Sequence, residues 1–172
     1  MDFDRNNPSL FDPLNDEVSQ LPSAKGIYMI IARNADCIKP LFINAEVLMF
    51  NGYHALYIGI SESQGLRDRD YKNHFKGTAR QSTLRKSLGA LHEWRDMRVY
   101  FRDGKYKFND TCEEKLSSWM RRNLMILYWL VDENIGEIEN VLINEMSPPL
   151  NLAKNKSPIN RDFREKLKSL RK

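Results

Sequence analysis

Hydrophobic and polar residues alternate along the chain with two different periods, which separate predicted strands from predicted helices. Short apolar runs rich in β-branched residues predict buried strands at residues 26–32 and 55–60. The run at residues 124–131 is continuously apolar, so it fits a strand that is covered on both faces. The other predicted strands are residues 41–50 and the two arms of a hairpin, 98–102 and 106–108.

Amphipathic segments predict five helices. In residues 135–146 the apolar side chains recur every three or four positions and therefore lie on one side of a helix. Thr111, followed three positions later by Glu114, has the spacing of a capping box and predicts a helix that continues to about residue 123. The other predicted helices are residues 66–75, 83–91 and 161–170.

This mixture of strands and helices predicts an α+β fold: a small mixed, mainly antiparallel β-sheet with helices packed on it. With 172 residues, 41% of them hydrophobic, the chain can bury a core without disulfides. Three segments are predicted. Residues 1–22 are an acidic, polar N-terminal extension outside the core, residues 23–152 are the folded domain, and residues 153–172 are a basic C-terminal helix.

Cysteine usage and hydropathy suggest the location of the protein. Cys37 and Cys112 are far apart and lack metal-ligand spacing, so we expect buried thiols in a reducing compartment. No run approaches 18 apolar residues, and the acidic N-terminus lacks the basic region of a signal peptide. We therefore expect a cytoplasmic protein with no membrane association.

Positive charge is concentrated in two zones of a chain whose formal net charge is only +4. Residues 65–86 contain seven Lys or Arg residues and two Asp residues, while residues 152–172 contain eight Lys or Arg residues, one Asp and one Glu. Such zones favour a polyanionic partner such as a nucleic acid. Taken alone, a solvated helix surface and a solubilising tail account for the charge equally well.

Two short motifs lie on predicted neighbouring strands, Gly-Ile-Tyr at residues 26–28 and Tyr-Ile-Gly at residues 57–59. Downstream, an arginine stands three positions after a leucine, a histidine follows, and a glutamate precedes an asparagine by twelve positions. These residues are Arg69, His74, Glu139 and Asn151. Over about residues 25–152, the five elements in this order resemble the GIY-YIG nuclease family. Arg69 and Glu139 are 70 positions apart, which indicates an insertion within about residues 76–131.

The resemblance implies a metal-dependent endonuclease that hydrolyses a phosphodiester, with DNA favoured over RNA as the substrate. Glu139 would hold Mg²⁺ or Mn²⁺, with water and phosphate as further ligands. Arg69 would pair with the phosphoryl oxygens as negative charge builds on them. We favour Tyr28 as the proton acceptor and Tyr57 as the group that positions water or phosphate, and the assignment of the base stays open between them. The predicted catalytic set is completed by His74 and by Asn151, which would brace the site.

A second set of residues is predicted to bind the nucleic acid. Its members are Arg67, Lys72 and Lys76 in the first basic zone and Arg164, Lys168 and Arg171 in the C-terminal segment. Arg67 is also the alternative to Arg69 as the catalytic arginine. The final helix is expected to dock through an apolar stripe and to present its three cations as a ridge for phosphates. One such site cuts one strand, so scission of a duplex would require a homodimer or a second encounter.

Two other functions are compatible with parts of the pattern. The same fold with weakened catalysis would be a nucleic-acid-binding module. A nuclease of the type that uses Asp and Glu-x-Lys is disfavoured, because Glu113 to Lys115 lie on a predicted helix instead of a strand.

Overall fold

A five-stranded antiparallel sheet forms the centre of the molecule in the computed structural model, which describes residues 4–63 and 65–172. The strands are β1 (Ser9–Phe11), β2 (Gly26–Ala32), β3 (Met49–Phe50), β4 (Tyr53–Ser61), β5 (Arg98–Tyr100), β6 (Tyr106–Phe108) and β7 (Leu124–Leu130). The central sheet has the order β1-β7-β2-β4-β3, and each of its pairings is antiparallel. Strands β5 and β6 form a separate antiparallel hairpin. The predicted α+β class is therefore confirmed.

Five helices surround the sheet. They are a π-helix (Arg67–Phe75) and four α-helices, α1 (Thr83–Leu91), α2 (Asp110–Asn123), α3 (Ile135–Met146) and α4 (Arg161–Leu170). Short 3₁₀ turns lie at Val18–Gln20 and Arg95–Met97. The predicted bounds of β2, α1, α3 and α4 are confirmed. The strand is a continuous apolar run, and the three helices carry apolar residues at helical spacing, so each pattern is visible in the sequence.

The sheet is buried on both faces, which explains its nearly continuous apolar strands. One face packs against α3 through residues such as Ile27 and Met29 of β2. The opposite face, which carries Tyr28 and Ile30, packs against the π-helix, α1, α2 and α4. Side chains alternate between the two faces along each strand. The middle isoleucine of each motif, Ile27 or Ile58, therefore lies on the α3 face. The motif tyrosines, Tyr28 and Tyr57, point to the other helices.

Two predictions about the N-terminal third of the chain are wrong. Within residues 41–50, only Met49–Phe50 forms a strand. Residues 35–45 fold into successive turns that bury Ile38 and Phe42. The N-terminal extension, described here from residue 4, does not lie outside the core. Its Ser9–Phe11 segment pairs with β7 as an edge strand, and Phe11 and Leu21 are buried.

The start of α2 also differs from the prediction. The residue at the N-cap is Asn109, whose Oδ1 accepts a hydrogen bond from the Cys112 backbone N–H at 2.8 Å. Thr111 already lies inside the helix, so the predicted capping box with Glu114 does not form. Asparagine is at least as good a cap as threonine and follows β6 directly, so the helix begins two residues earlier.

Both cysteines are free thiols, with Cys112 buried and Cys37 half-buried. Within the part of the chain that the structure describes, no helix is long and apolar enough to cross a membrane.

Candidate active site

The two motif glycines are required by close contacts between strands. Tyr28 on β2 pairs with Gly59 on β4, and the Tyr28 ring lies across the glycine. A Cβ atom at Gly59 would stand 2.5 Å from both Cζ and Oη of Tyr28. At Gly26, a Cβ atom would stand 2.3 Å from the backbone oxygen of Trp129 on β7. Each motif glycine therefore makes room for a specific neighbour.

The regular register between β2 and β4 places the second tyrosine on the same face as the first, and a β-bulge lies directly before it in β4. Ile30 pairs with Tyr57 and Ile31 pairs with Ala55, which leaves Leu56 as the extra residue. Leu56 and Tyr57 consequently both pack on the helix-rich face, although they are consecutive in sequence. The ring centroids of Tyr28 and Tyr57 are 6.2 Å apart. Without the bulge, alternation along β4 from Gly59 would have turned Leu56 toward α3.

A buried hydrogen-bond chain runs from the first tyrosine to α1. The Tyr28 hydroxyl and His74 Nε2 are 2.8 Å apart, and His74 Nδ1 lies 2.7 Å from the Ser82 hydroxyl. Ser82 is the N-cap of α1, where its hydroxyl accepts from the Arg85 backbone N–H. Burial, together with the charges of Arg69 and Arg85, lowers the pKa of His74 to about 3. The imidazole is therefore neutral at pH 7, and its tautomer sets the direction of the chain.

The π-helix brings the arginine and the histidine onto one side. Arg69 and His74 are five residues apart, which does not match a turn of α-helix, but a π-helix makes hydrogen bonds from residue i to i+5. The bond from Lys76 N to Tyr71 O has this spacing. Arg69 is exposed, and its charge lowers the pKa of His74 and opposes the increase in the tyrosine pKa values.

Arg67, the alternative to Arg69, is bound elsewhere. Its Nε donates to the Leu21 backbone oxygen at 2.8 Å, and its Nη2 donates to the Ser19 backbone oxygen at 2.9 Å. Arg67 thus anchors the segment before β2 to the π-helix. It is the charge of Arg69 that acts on the site, where it opposes the increase in the pKa of both tyrosines and lowers the pKa of His74.

Both tyrosines are held in their neutral form. Burial raises the pKa of Tyr28 well above its usual range, with the neighbouring Tyr57 and Asp70 adding to the shift. Burial also raises the pKa of Tyr57, while a hydrogen bond to Thr83 opposes the increase. Either phenolate would form only with help from nearby positive charge.

Glu139 opens onto a cavity of about 300 Å³ that also contains Tyr57. The carboxylate lies on α3 and is 6% exposed. Its Oε2 accepts a hydrogen bond from Lys154 Nζ at 2.6 Å. Lys154 adopts a left-handed backbone conformation, with φ of 62°. The lysine was not expected here, because the sequence carries no signal that residue 154 returns to a glutamate on α3.

Asn151 closes the outer edge of β4. Its Oδ1 accepts from the Ile58 backbone N–H at 2.8 Å, and its Nδ2 donates to the Ile58 backbone oxygen at 2.7 Å. The preceding Leu150 donates its backbone N–H to the oxygen of Leu56, the bulge residue. Since β3 covers only the start of β4, these bonds satisfy edge groups that would otherwise be unpaired. Asn151 therefore supports the strand that carries Tyr57.

The donor set fits a single hard cation with few protein ligands. Among residues 4–63 and 65–172, no group of three or more His, Cys, Asp or Glu side chains is arranged around a common point. Mg²⁺ commonly binds through one or two carboxylates and retains several waters, so a lone Glu139 carboxylate facing a cavity suits it. The Lys154 ammonium competes for that carboxylate.

The residues predicted to bind nucleic acid do not form one surface. Lys72 is exposed and pairs with Asp68 at 2.5 Å, and Lys76 is exposed with its ammonium 5.3 Å from the centre of the Tyr71 ring. On α4 the predicted ridge of three cations does not form. Arg164 is buried and donates to the backbone oxygens of Ser157 and Ile159. Lys168 pairs with Glu165, and Arg171 lines the cavity beside Glu139.

A buried ion pair in the predicted insertion supports the part of the π-helix that carries His74. Arg85, counted among the surface cations from the sequence, is fully buried and pairs with Glu113 of α2 at 2.6 Å. Arg85 also donates to the backbone oxygen of His74 at 3.0 Å. Its position next to apolar Leu84 on α1 was the available signal. The contact with Glu113 depends on how the two helices pack.

The class of the protein follows from how its two motifs fit together. The glycine of the second motif leaves the space that the tyrosine of the first occupies, on an antiparallel sheet of the GIY-YIG type. The GIY-YIG catalytic domain family matches residues 26–172, nearly the whole chain, and the chain therefore belongs to this family. The match continues through α4, beyond residue 152. None of the curated proteins and none of the solved structures compared with the chain matches it. The family indicates a nuclease-type hydrolase whose substrate is a nucleic acid.

Proposed function

We propose that this chain is an active, metal-dependent endonuclease that hydrolyses a phosphodiester bond in DNA. The observation that supports this proposal best is the shared cavity of Tyr57 and Glu139. A tyrosine hydroxyl and a metal-binding carboxylate facing the same space can act on one phosphate. The exposed Arg69 supplies the positive charge that the reaction needs.

In the proposed mechanism, each side chain has one task. Tyr57 contacts the attacking water or the phosphate, because it lines the cavity. Tyr28 stays our preferred proton acceptor. Its own hydroxyl proton would pass to neutral His74 Nε2, 2.8 Å away, while it receives the proton of the water through Tyr57, with which it shares a hydrogen bond. Arg69 lowers the energy of the phenolate and pairs with the phosphoryl oxygens as negative charge develops.

Glu139 would hold the divalent cation, and Mg²⁺ or Mn²⁺ suits its oxygen donors. The bound cation supplies positive charge for the phosphate and for the leaving oxygen. Lys154 has to release or share the Glu139 carboxylate when the cation binds.

A nucleic-acid-binding module with weak catalysis is the second candidate. The observation in its favour is the ion pair between Lys154 and Glu139, which occupies the metal-binding carboxylate. If the pair persists when divalent cation is present, the protein binds nucleic acid without cutting it.

Cleavage assays on supercoiled plasmid, branched DNA and RNA, with Mg²⁺, Mn²⁺ or EDTA, test the proposal. We expect DNA cleavage that requires the divalent cation. Glu139→Gln should reduce the cleavage rate at least about 100-fold, because one metal-binding carboxylate contributes several kcal/mol of transition-state stabilisation. Circular dichroism should show that the variant remains folded.

Glu137→Gln is the matched control, since Glu137 is an exposed carboxylate on the same helix. It should cut at the wild-type rate. Wild-type cleavage by Glu139→Gln would contradict the site assignment. If the wild-type protein binds DNA but does not cut it with either Mg²⁺ or Mn²⁺, the result would favour the binding module.

A further inference from the structure

A second, basic groove adjoins the cavity that contains Glu139. It has a volume of about 480 Å³ and is lined by Lys86 of α1, Tyr106 of β6, and Lys168 and Arg171 of the C-terminal segment. Leu152, Ala153 and Arg171 line both the groove and the cavity that contains Glu139. An extended ligand whose reacting group sits beside Glu139 would therefore meet this groove next.

The groove carries positive charge that the protein does not neutralise. Among the described residues, neither Lys86 nor Arg171 has an ion-pair partner, and Arg171 Nε is buried with no hydrogen-bond acceptor. The one carboxylate in the groove, Glu165, is bound to Lys168 at 2.8 Å. Burial lowers the pKa of Lys86, and the charges of Arg171 and Lys105 lower it further. Keeping these cations together costs free energy that a bound anion would offset.

Tyr106 fixes the position of this charge. The Lys86 ammonium lies 5.3 Å from the centre of the Tyr106 ring, and the Arg98 guanidinium carbon lies 4.5 Å from it. The Tyr106 hydroxyl donates to the Arg171 backbone oxygen at 3.1 Å. Two atoms of the Arg98 guanidinium, Nε and Nη1, are also buried without a partner in the described part of the chain. The groove is thus an ordered, positively charged surface and not a set of mobile side chains.

We propose that this groove binds the phosphates adjacent to the scissile phosphate on the same nucleic-acid strand. This inference rests on the proposed function, which places the scissile phosphate in the cavity beside Glu139. The charge excludes a metal ion as the occupant. Adjacency to the cavity, through three shared lining residues, favours a phosphodiester chain over an isolated phosphate. The insertion, through Tyr106, and the C-terminal segment, through Arg171, then build one substrate-binding surface.

The experiment measures binding in EDTA, so that no strand is cut. Fluorescein-labelled single-stranded and duplex DNA are titrated with the full chain over a range of salt concentrations. Lys86→Met and Arg171→Gln should each raise the Kd and reduce the slope of log K against log salt by about one, since each removes one phosphate contact. The double variant should lose about two.

Three controls make the outcome decisive. Lys166→Met neutralises a cation on the other side of α4, in a different groove, and should leave the slope unchanged. Arg171→Lys keeps the charge and should keep the slope. Thermal melting excludes unfolding as the cause. Inorganic phosphate is added at a concentration equal to that of the DNA phosphate groups. Full displacement of the DNA would show a site for isolated phosphate and overturn the proposal.

The results also separate this inference from the proposed function. Unchanged slopes in Lys86→Met and Arg171→Gln, or an equal loss in Lys166→Met, would overturn the groove even if the wild-type protein cuts DNA. Reduced slopes in a protein that cuts nothing would retain the groove as a nucleic-acid site and reject the catalytic proposal.

Discussion

At the scale of single residues, the site is defined by which charges are free and which are engaged. Arg67 and Arg69 are two positions apart on one helix, yet Arg67 donates to two backbone oxygens, whereas Arg69 is exposed and its charge opposes the increase in the Tyr28 pKa. Glu139 is likewise engaged by Lys154, whereas the neighbouring Glu137 is exposed. Two predictions follow from these differences.

Arg69→Ala and Arg67→Ala should have different effects. Loss of Arg69 should cost about 3 kcal/mol of transition-state stabilisation, as for loss of one strong donor, and leave stability nearly unchanged. Loss of Arg67 should lower stability by about 2 kcal/mol, because two bonds to backbone oxygens disappear. Single-turnover cleavage and urea unfolding measure the two effects. A severe catalytic loss confined to Arg67→Ala would reverse the assignment.

Lys154→Met should strengthen divalent-cation binding. Lys154 is half-exposed, so its pair with Glu139 is worth about 1 kcal/mol, and removing the competitor should lower the Kd for Mn²⁺ about fivefold. Isothermal titration calorimetry without nucleic acid measures this directly. Lys156→Met, a nearby exposed cation with no ion pair to Glu139, is the control. Weaker metal binding in Lys154→Met would mean that the lysine supports the site.

At the scale of elements, the insertion is part of the framework that holds the histidine. The π-helix carries His74, whose ring is hydrogen-bonded to Ser82, the N-cap of α1. Helix α2 contacts α1 through the buried ion pair between Arg85 and Glu113. Glu113 also accepts from the backbone N–H groups of Ala79 and Phe108. The Glu113 carboxylate therefore binds three points of the segment that runs from the π-helix through β6, namely Ala79, Arg85 and Phe108.

Arg85→Met should destabilise the fold by about 3–5 kcal/mol, because Glu113 would remain as an uncompensated buried charge. The double variant Arg85→Met/Glu113→Gln should recover part of that loss. Glutamine is neutral and can still accept from Ala79 and Phe108. Chemical denaturation of the two single variants and the double variant gives the coupling energy. A double variant no more stable than Arg85→Met would show that the hydrogen bonds, and not the charge, dominate.

At the scale of the whole molecule, the C-terminal segment is integrated into the core. Phe163 stacks on Phe42 with ring centres 5.8 Å apart, and Leu167 is 1% exposed. Asn160 bonds the backbone of Glu46, which joins α4 to the loop before β3. The expected docking of the apolar stripe is thereby confirmed, although the ridge of three phosphate-binding cations is not formed.

Deleting residues 157–172, which leaves Lys154 in place, should therefore destabilise the protein strongly. Burial of Phe163 and Leu167 alone contributes about 2 kcal/mol each. A melting temperature near that of the full chain would show that α4 is dispensable for folding. Because we expect unfolding, the charge substitutions in the groove are a cleaner test of nucleic-acid binding than truncation.

The sequence by itself determined the features that depend on near neighbours. The continuous apolar run of β2 and the helical apolar periods of α1, α3 and α4 locate these elements, and the two glycine-tyrosine motifs identify the family. Periodicity and short motifs act within a few residues, so one chain without its fold is enough to detect them. The residues proposed for catalysis, Tyr28, Tyr57, Arg69 and Glu139, were found in this way.

Only the tertiary structure decided which of these residues meet. The register between β2 and β4 places Tyr57 on the face of Tyr28, and the π-helix brings His74 Nε2 to 2.8 Å from the Tyr28 hydroxyl. Lys154 reaches Glu139, and Arg85 and Arg164 are buried although their residue type is usually exposed. Each of these outcomes depends on strand register or on packing between segments distant in sequence. Such contacts gain their free energy only when the whole fold is assembled, and local sequence patterns do not encode them.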